Sequence, residues 1–173
     1  MRKLVFIWMA FLPMLSMAQE SQLNVVFDKY SGQEGYTSVY ITSYMFELFS
    51  KLDDESDQDL ENMTKGLKAI KILTAGDKLD SKARDAFYQE ISKVVSQPIY
   101  KDFMIVKDGK QEIVFKVRDN GSKITEFVMT VNDPLEPVLL YILGDIDIKQ
   151  IAKMSKSMDV KGFDKLQKVE EKQ

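Results

Sequence analysis

The chain has 173 residues, with 24 Lys+Arg against 27 Asp+Glu and neither Cys nor His. Those two absences exclude thiolate nucleophiles, Ser-His-Asp and Cys-His arrangements, and every zinc or copper site built on such side chains. A net charge of −3 without a basic block argues against nucleic acid or an anionic membrane surface as the partner.

Taken in order, the chain begins with the pattern of a secretion signal. Arg2 and Lys3 form a positive start, Leu4 to Leu15 is apolar apart from Pro13, and Ser16-Met17-Ala18 sets small residues at the −3 and −1 positions of a cleavage site. That apolar segment is about 12 residues, short of the roughly 20 that span a bilayer, so cleavage after Ala18 is expected rather than an uncleaved anchor. Removing residues 1–18 takes two basic side chains away, and the mature charge becomes 22 − 27 = −5. The remaining 155 residues (173 − 18) are one domain's worth, large enough for a core that does without disulfides. The expected organisation is a signal peptide over 1–18, a single domain over 19–166 and a frayed tail over 167–173.

Leu23, Val26, Phe27 and Tyr30 at i, i+3, i+4 and i+7 predict a helix that Ser21 is placed to cap and that ends near Gly32. Thr37 to Thr42 is β-branched and aromatic, a strand. The period then changes: Met45, Leu48, Phe49 and Leu52 define a helix capped by Thr42 or Ser43. Between Asp53 and Glu61 lies an acidic stretch whose Asp53, Glu55 and Asp57 superficially suit a calcium loop. Gln58 stands where the loop needs Gly and Thr64 where it needs Glu, so the stretch is read as a solvated lead into a helix starting at Ser56.

Ala69 to Leu73 predicts a short strand, and Asp80 or Ser81 a cap for a helix burying Ala83, Phe87, Ile91, Val94 and Val95, closed before Pro98. Tyr88 beside that face is read as packing. A hairpin turns on Asp108-Gly109 between Phe103–Val106 and Ile113–Val117, and a second turns on Asn120-Gly121 into Ile124–Val131. Val138 to Leu143 is apolar at every position, as in a strand covered on both faces. Gly144 and Asp145 are read as its end, and Asp147 with Gln150 as the capping box of a helix carrying Ile148, Ile151, Ala152 and Ser155 on one stripe. The expected fold is α+β: a single mixed or antiparallel sheet of about six strands ending in a four-strand meander, with helices packed on it. The two β-α units of the first half are expected to place their helices on one face.

Five segments carry a resemblance: EGYTSVYITSYMFELF (34–49), AIKIL (69–73), YKDFMIVKDGKQEIVFKV (100–117), ITEFVMTV (124–131) and LLYILGDIDIKQIAKM (139–154). In that order they resemble the domain of unknown function 4252 family, small exported proteins of Bacteroidetes-type bacteria. The resemblance covers nearly the whole mature chain and its motifs are those of a scaffold. It implies export and an α+β domain, and transfers no catalytic residue. Some members carry a lipobox Cys that this chain lacks, which points to a form without a lipid anchor.

The functional expectation is an exported, non-enzymatic binding or accessory module of the bacterial cell envelope, periplasmic or secreted, with a protein partner or a small ligand. It has no membrane-spanning segment after signal cleavage and no assigned catalytic, cofactor or metal residue. Tyr36, Tyr40 and Tyr44 are the sequence's nearest candidates for a partner patch, against a reading in which at least two of them edge the core. The alternative is a carrier of a small lipophilic ligand between sheet and helices. A carboxylate-based hydrolase comes behind both, resting on Asp145 and Asp147, which capping and a turn explain without chemistry.

Overall fold

The computed structural model describes residues 21–52 and 65–147. The signal segment, the acidic stretch with its calcium-loop reading, the helices expected after Ser56 and after Asp147, and the tail 167–173 lie outside the described residues.

Six strands form one sheet: β1 (Tyr36–Thr42), β2 (Leu67–Ala75), β3 (Lys101–Asp108), β4 (Gln111–Asp119), β5 (Ile124–Asn132) and β6 (Val138–Ile146). Their spatial order is β1-β2-β6-β5-β4-β3 and every neighbouring pair is antiparallel. The fold is therefore α+β with an antiparallel sheet, and the meander runs β3 to β6 as the two hairpin signals require. Between β5 and β4, Asn120 accepts hydrogen bonds on its side chain from the Ser122 and Lys123 amides.

β6 explains its own continuous apolar run. Val138, Leu140 and Ile142 join one core cluster, while Leu139 and Tyr141 join the cluster on the opposite face. A strand with no wet side has no position to spend on polar residues.

Helix α1 (Gln22–Tyr30) and helix α3 (Ser81–Val95) cover one face. Leu23, Val26, Phe27 and Tyr30 meet Phe87, Ile91, Val94 and Val95 over Leu73, Ala75, Val128, Leu139 and Tyr141. Burying side chains of this size stabilises the domain by about 1.5–3 kcal/mol each. Asp80 caps α3 as its spacing predicts, Oδ1 accepting from the Ala83 amide at 2.7 Å. Helix α2 (Ser43–Leu52) follows β1 without a loop.

Four expectations need correction. The helix after β1 does not share a face with the helix after β2: Phe46 of α2 packs on the other cluster, that of Ile70, Phe115, Phe127 and Leu140. Gly144 and Asp145 do not end β6. Opposite them the β2 register shifts between Leu67 and Ala69, and a Cβ on Gly144, whose φ is +139°, would stand 2.3 Å from the Gly66 carbonyl oxygen. The glycine lets two strands approach at a bulge, where the sequence pattern of Gly-Asp reads as a turn. β2 is also longer than Ala69–Leu73, since β1 pairs it out to Ala75 and β6 out to Thr74. Ser21, finally, sits at the N-cap of α1 but makes no side-chain cap bond. Its hydroxyl is engaged elsewhere.

Candidate functional site

Among the described residues, ten large apolar side chains are exposed, and five of them fall in the ten residues from Val39 to Leu48. These are Val39 (41%), Tyr40 (57%), Tyr44 (64%), Met45 (41%) and Leu48 (42%). The concentration has a local cause. α2 spends Phe46 on the sheet, and at about 100° per residue Tyr44 and Leu48 lie on the side opposite Phe46. Its first turns are thus apolar on the packed side and on the outward side, a distribution that suits a helix covered twice.

Tyr40 is held rather than loose. The buried Lys71 ammonium lies 4.9 Å from the Tyr40 ring centre and 4.8 Å from that of Phe27, and donates to Asn24 Oδ1 at 2.9 Å. A cation between two ring faces gains from both quadrupoles, and the two rings meet edge-on at 6.2 Å. Tyr36 is a different case. It is half-buried, 4.8 Å from the Tyr30 ring and 5.5 Å from that of Phe87, so it edges the core. Of the three tyrosines named from sequence, Tyr40 and Tyr44 reach the surface.

The backbone of β1 adds a second feature. Among the described residues β1 pairs with β2 alone. The Gly35 carbonyl accepts from the Gly76 amide at 2.9 Å, which fixes the alternation that follows: Thr37, Val39 and Ile41 point their polar groups at β2, and Ser38 and Tyr40 point theirs outward. β1 contains no charged residue and no proline.

A buried polar cluster lies under the start of α1, which the sequence reading missed. Glu126 of β5 is 6% exposed. Its Oε1 accepts from Arg118 Nη1 at 2.8 Å, and its Oε2 from the Tyr100 hydroxyl at 2.8 Å and the Ser21 hydroxyl at 3.2 Å. Register explains the ion pair, since Arg118 stands directly opposite Glu126. Burial pushes the Tyr100 and Tyr141 hydroxyls well above their usual range, so both stay protonated. Tyr141 Oη faces Ser21 and Glu126 without reaching hydrogen-bond geometry to any described group. Beside the cluster is a cleft of about 140 Å³ bounded by Ser21, Gln22, Val94, Gln97, Ile99, Tyr100 and Arg118. The signal in the sequence was a glutamate inside the apolar run Ile124–Val131.

The two aspartates weighed for hydrolysis stand apart from that cleft. Asp145 is exposed. Its Oδ2 meets Lys123 Nζ at 2.6 Å, and this contact holds the carboxyl below its usual range. It is ionised at neutral pH and does not supply a proton to a leaving group. Its amide donates to the Gly66 carbonyl at 2.9 Å, part of the β2–β6 bulge. Asp147 follows the end of β6, and the helix it was expected to cap lies outside the described residues.

Among the described residues no three acidic side chains gather where they could hold a metal ion, and no helix is long and apolar enough to cross a membrane. No curated protein and no solved structure matches this chain. A family model does, from Tyr30 at the end of α1 through all six strands to residue 154. By that match over residues 30–154 the chain belongs to the family described as domain of unknown function (DUF4252).

Proposed function

We propose that the protein is an exported, non-enzymatic binding module of the bacterial cell envelope, and that it engages a protein partner through the surface formed by β1 and α2. The observation that carries this reading is the concentration of exposed large apolar side chains at Val39 of β1 and Tyr44, Met45 and Leu48 of α2, four of the ten among the described residues. Scattered apolar side chains are ordinary on a protein surface, whereas a concentrated set marks an interaction site. Tyr44 and Leu48, at i and i+4 on the outward side of α2, have the spacing of anchors that a helix lays into an apolar groove. The alternative, a carrier of a small lipophilic ligand, has less support. The cleft beside Glu126, at about 140 Å³, falls short of the roughly 300–1,000 Å³ of ordinary ligand pockets.

The test is quantitative co-purification from the envelope fraction of the native host, comparing the tagged protein with Tyr44→Asp/Leu48→Asp. Both positions are exposed, so the double variant should fold with an unchanged melting temperature. The reading expects specific proteins enriched with the natural sequence and absent with the variant. Recovery of nothing above background would contradict it.

A further inference from the structure

We infer that the outer edge of β1, unpaired among the described residues, is a pairing site for β1 of a second copy of this chain, joined antiparallel about a two-fold axis at Val39. This goes beyond the α2 anchors, because it rests on the strand's backbone and register and stands or falls without them.

Three observations support it. First, Ser38 and Tyr40 present their amides and carbonyls outward, as the Gly35–Gly76 hydrogen bond fixes. An antiparallel pair exchanges its bonds between such residues, and Ser38 opposite Tyr40 of the second copy meets that requirement on both sides of the axis.

Second, one register overlaps all seven residues of β1 with their copies, and it is self-complementary throughout. Tyr36 faces Thr42, Ser38 faces Tyr40, Thr37 faces Ile41, and Val39 faces itself. Tyr36–Thr42 is an aromatic–β-branched pair of the kind that stabilises antiparallel ladders, and Val39 brings two apolar side chains together on the axis. Two copies of a chain with net charge −3 repel one another in general, yet this register sets no like charges opposite each other, since β1 carries none.

Third, the exposed side chains supply area. Val39 at 41% and Tyr40 at 57% exposure leave apolar surface on the strand itself, one on each face, that a paired strand would cover.

The experiment is sedimentation of the protein purified from an exporting host, across a concentration series, for the natural sequence, Val39→Lys, Val39→Glu, and an equimolar mixture of the two variants. Val39 is 41% exposed, so a lysine there keeps its ammonium in water, and circular dichroism should report an unchanged fold. Thr37→Lys, also at an exposed position, probes the same edge should a Val39 variant fail to fold. The expected result is a dimer for the natural sequence, association weakened at least about a hundredfold in each charged variant by the facing like charges, and a dimer restored in the mixture. A natural sequence that stays monomeric at every concentration would overturn the inference. So would a folded Val39→Lys that still dimerises, or a mixture that stays monomeric.

Discussion

β1 and β3 close the two ends of the same sheet, and their sequences treat that position in opposite ways. β3 reads KDFMIVKD, with a charge in four of its eight positions. Its pairing with β4 shifts at Phe103, and ion pairs run along that side of the sheet: Lys101–Asp119 at 2.6 Å, Lys116–Asp102 at 2.6 Å and Lys107–Glu112 at 3.0 Å. β1 reads YTSVYIT, with no charge, no proline and an unbroken register against β2. Apolar exposure does not separate the two, since Phe103 and Ile105 are 43% and 51% exposed on β3. Charge and the bulge do. Proteins blunt an open edge with these devices so that no foreign strand adds to it, and here one edge has them and the other lacks them. Among the described residues, charge and bulge guard β3 and neither guards β1.

The comparison can be broken at the seam that joins the two ends. β2 and β6 meet where Gly144, at φ +139°, lets the strands approach, and a side chain there would stand 2.3 Å from the Gly66 oxygen and 2.7 Å from Leu67 Cα. Gly144→Val is expected to lose more than about 3 kcal/mol, because an unsuitable φ and a backbone clash act together. Urea denaturation followed by circular dichroism measures it, and a loss below about 1 kcal/mol would show that the bulge relaxes freely.

A smaller effect belongs to Glu126 on the β4–β5 side. Glu126→Ala leaves the Arg118 guanidinium without its carboxylate and Tyr100 and Ser21 without their shared acceptor. The Arg118 side chain is 36% exposed and water replaces part of what is lost, so the expected cost is about 2 kcal/mol. The destabilised protein, while folded, should associate through β1 as before. A weakened dimer in sedimentation would mean that the two sides are coupled.

Removing charge from β3 sharpens the contrast. Lys101→Thr/Lys107→Thr deletes two exposed ion pairs, each worth little to stability, and is expected to shift unfolding by less than about 0.5 kcal/mol while increasing self-association through β3. No gain in association would leave the Phe103 bulge as the sufficient guard of that edge.

The smallest effect is a pH dependence at the α1–α3 contact. Burial alone would raise the Glu90 carboxyl, but hydrogen bonds from Lys29 at 2.5 Å and Tyr30 at 2.7 Å outweigh it, and the group titrates below its ordinary 4.5. A carboxyl depressed in the folded state stabilises above its unfolded pKa, and that stability is lost as pH falls from about 4.5 through the folded value. Since the pair is partly exposed, the contribution is below about 0.5 kcal/mol. Comparing Glu90→Gln with the natural sequence at pH 7 and pH 3.5 should show a difference at the higher pH that shrinks at the lower.

How far these features were legible in the sequence follows the range of the interactions that make them. The hairpins at Asp108-Gly109 and Asn120-Gly121, the Asp80 cap and the doubly buried run of β6 are set within a few residues of themselves, and the pattern showed them. Gly144-Asp145 has the composition of a turn, and only the distant Gly66 makes it a bulge. Ser21 satisfies the grammar of an N-cap, but Glu126, 105 positions along the chain, takes its hydroxyl. For α2, Tyr44, Phe46 and Leu48 offer apolar residues on opposite sides, so periodicity alone did not choose the sheet face. Tyr36 and Tyr40 look alike in sequence, and which of them reaches the surface was decided by where α1 and α3 packed.

Whether β1 is the edge that pairs is read out by amide hydrogen exchange, residue by residue, at rising protein concentration. The account predicts that Ser38 and Tyr40, whose amides point outward, exchange fast in dilute protein and become protected as concentration rises, while the outward amides of β3 do not change. Ser38 and Tyr40 amides that stay equally unprotected at every concentration, or protection that grows at β3 instead, would contradict it.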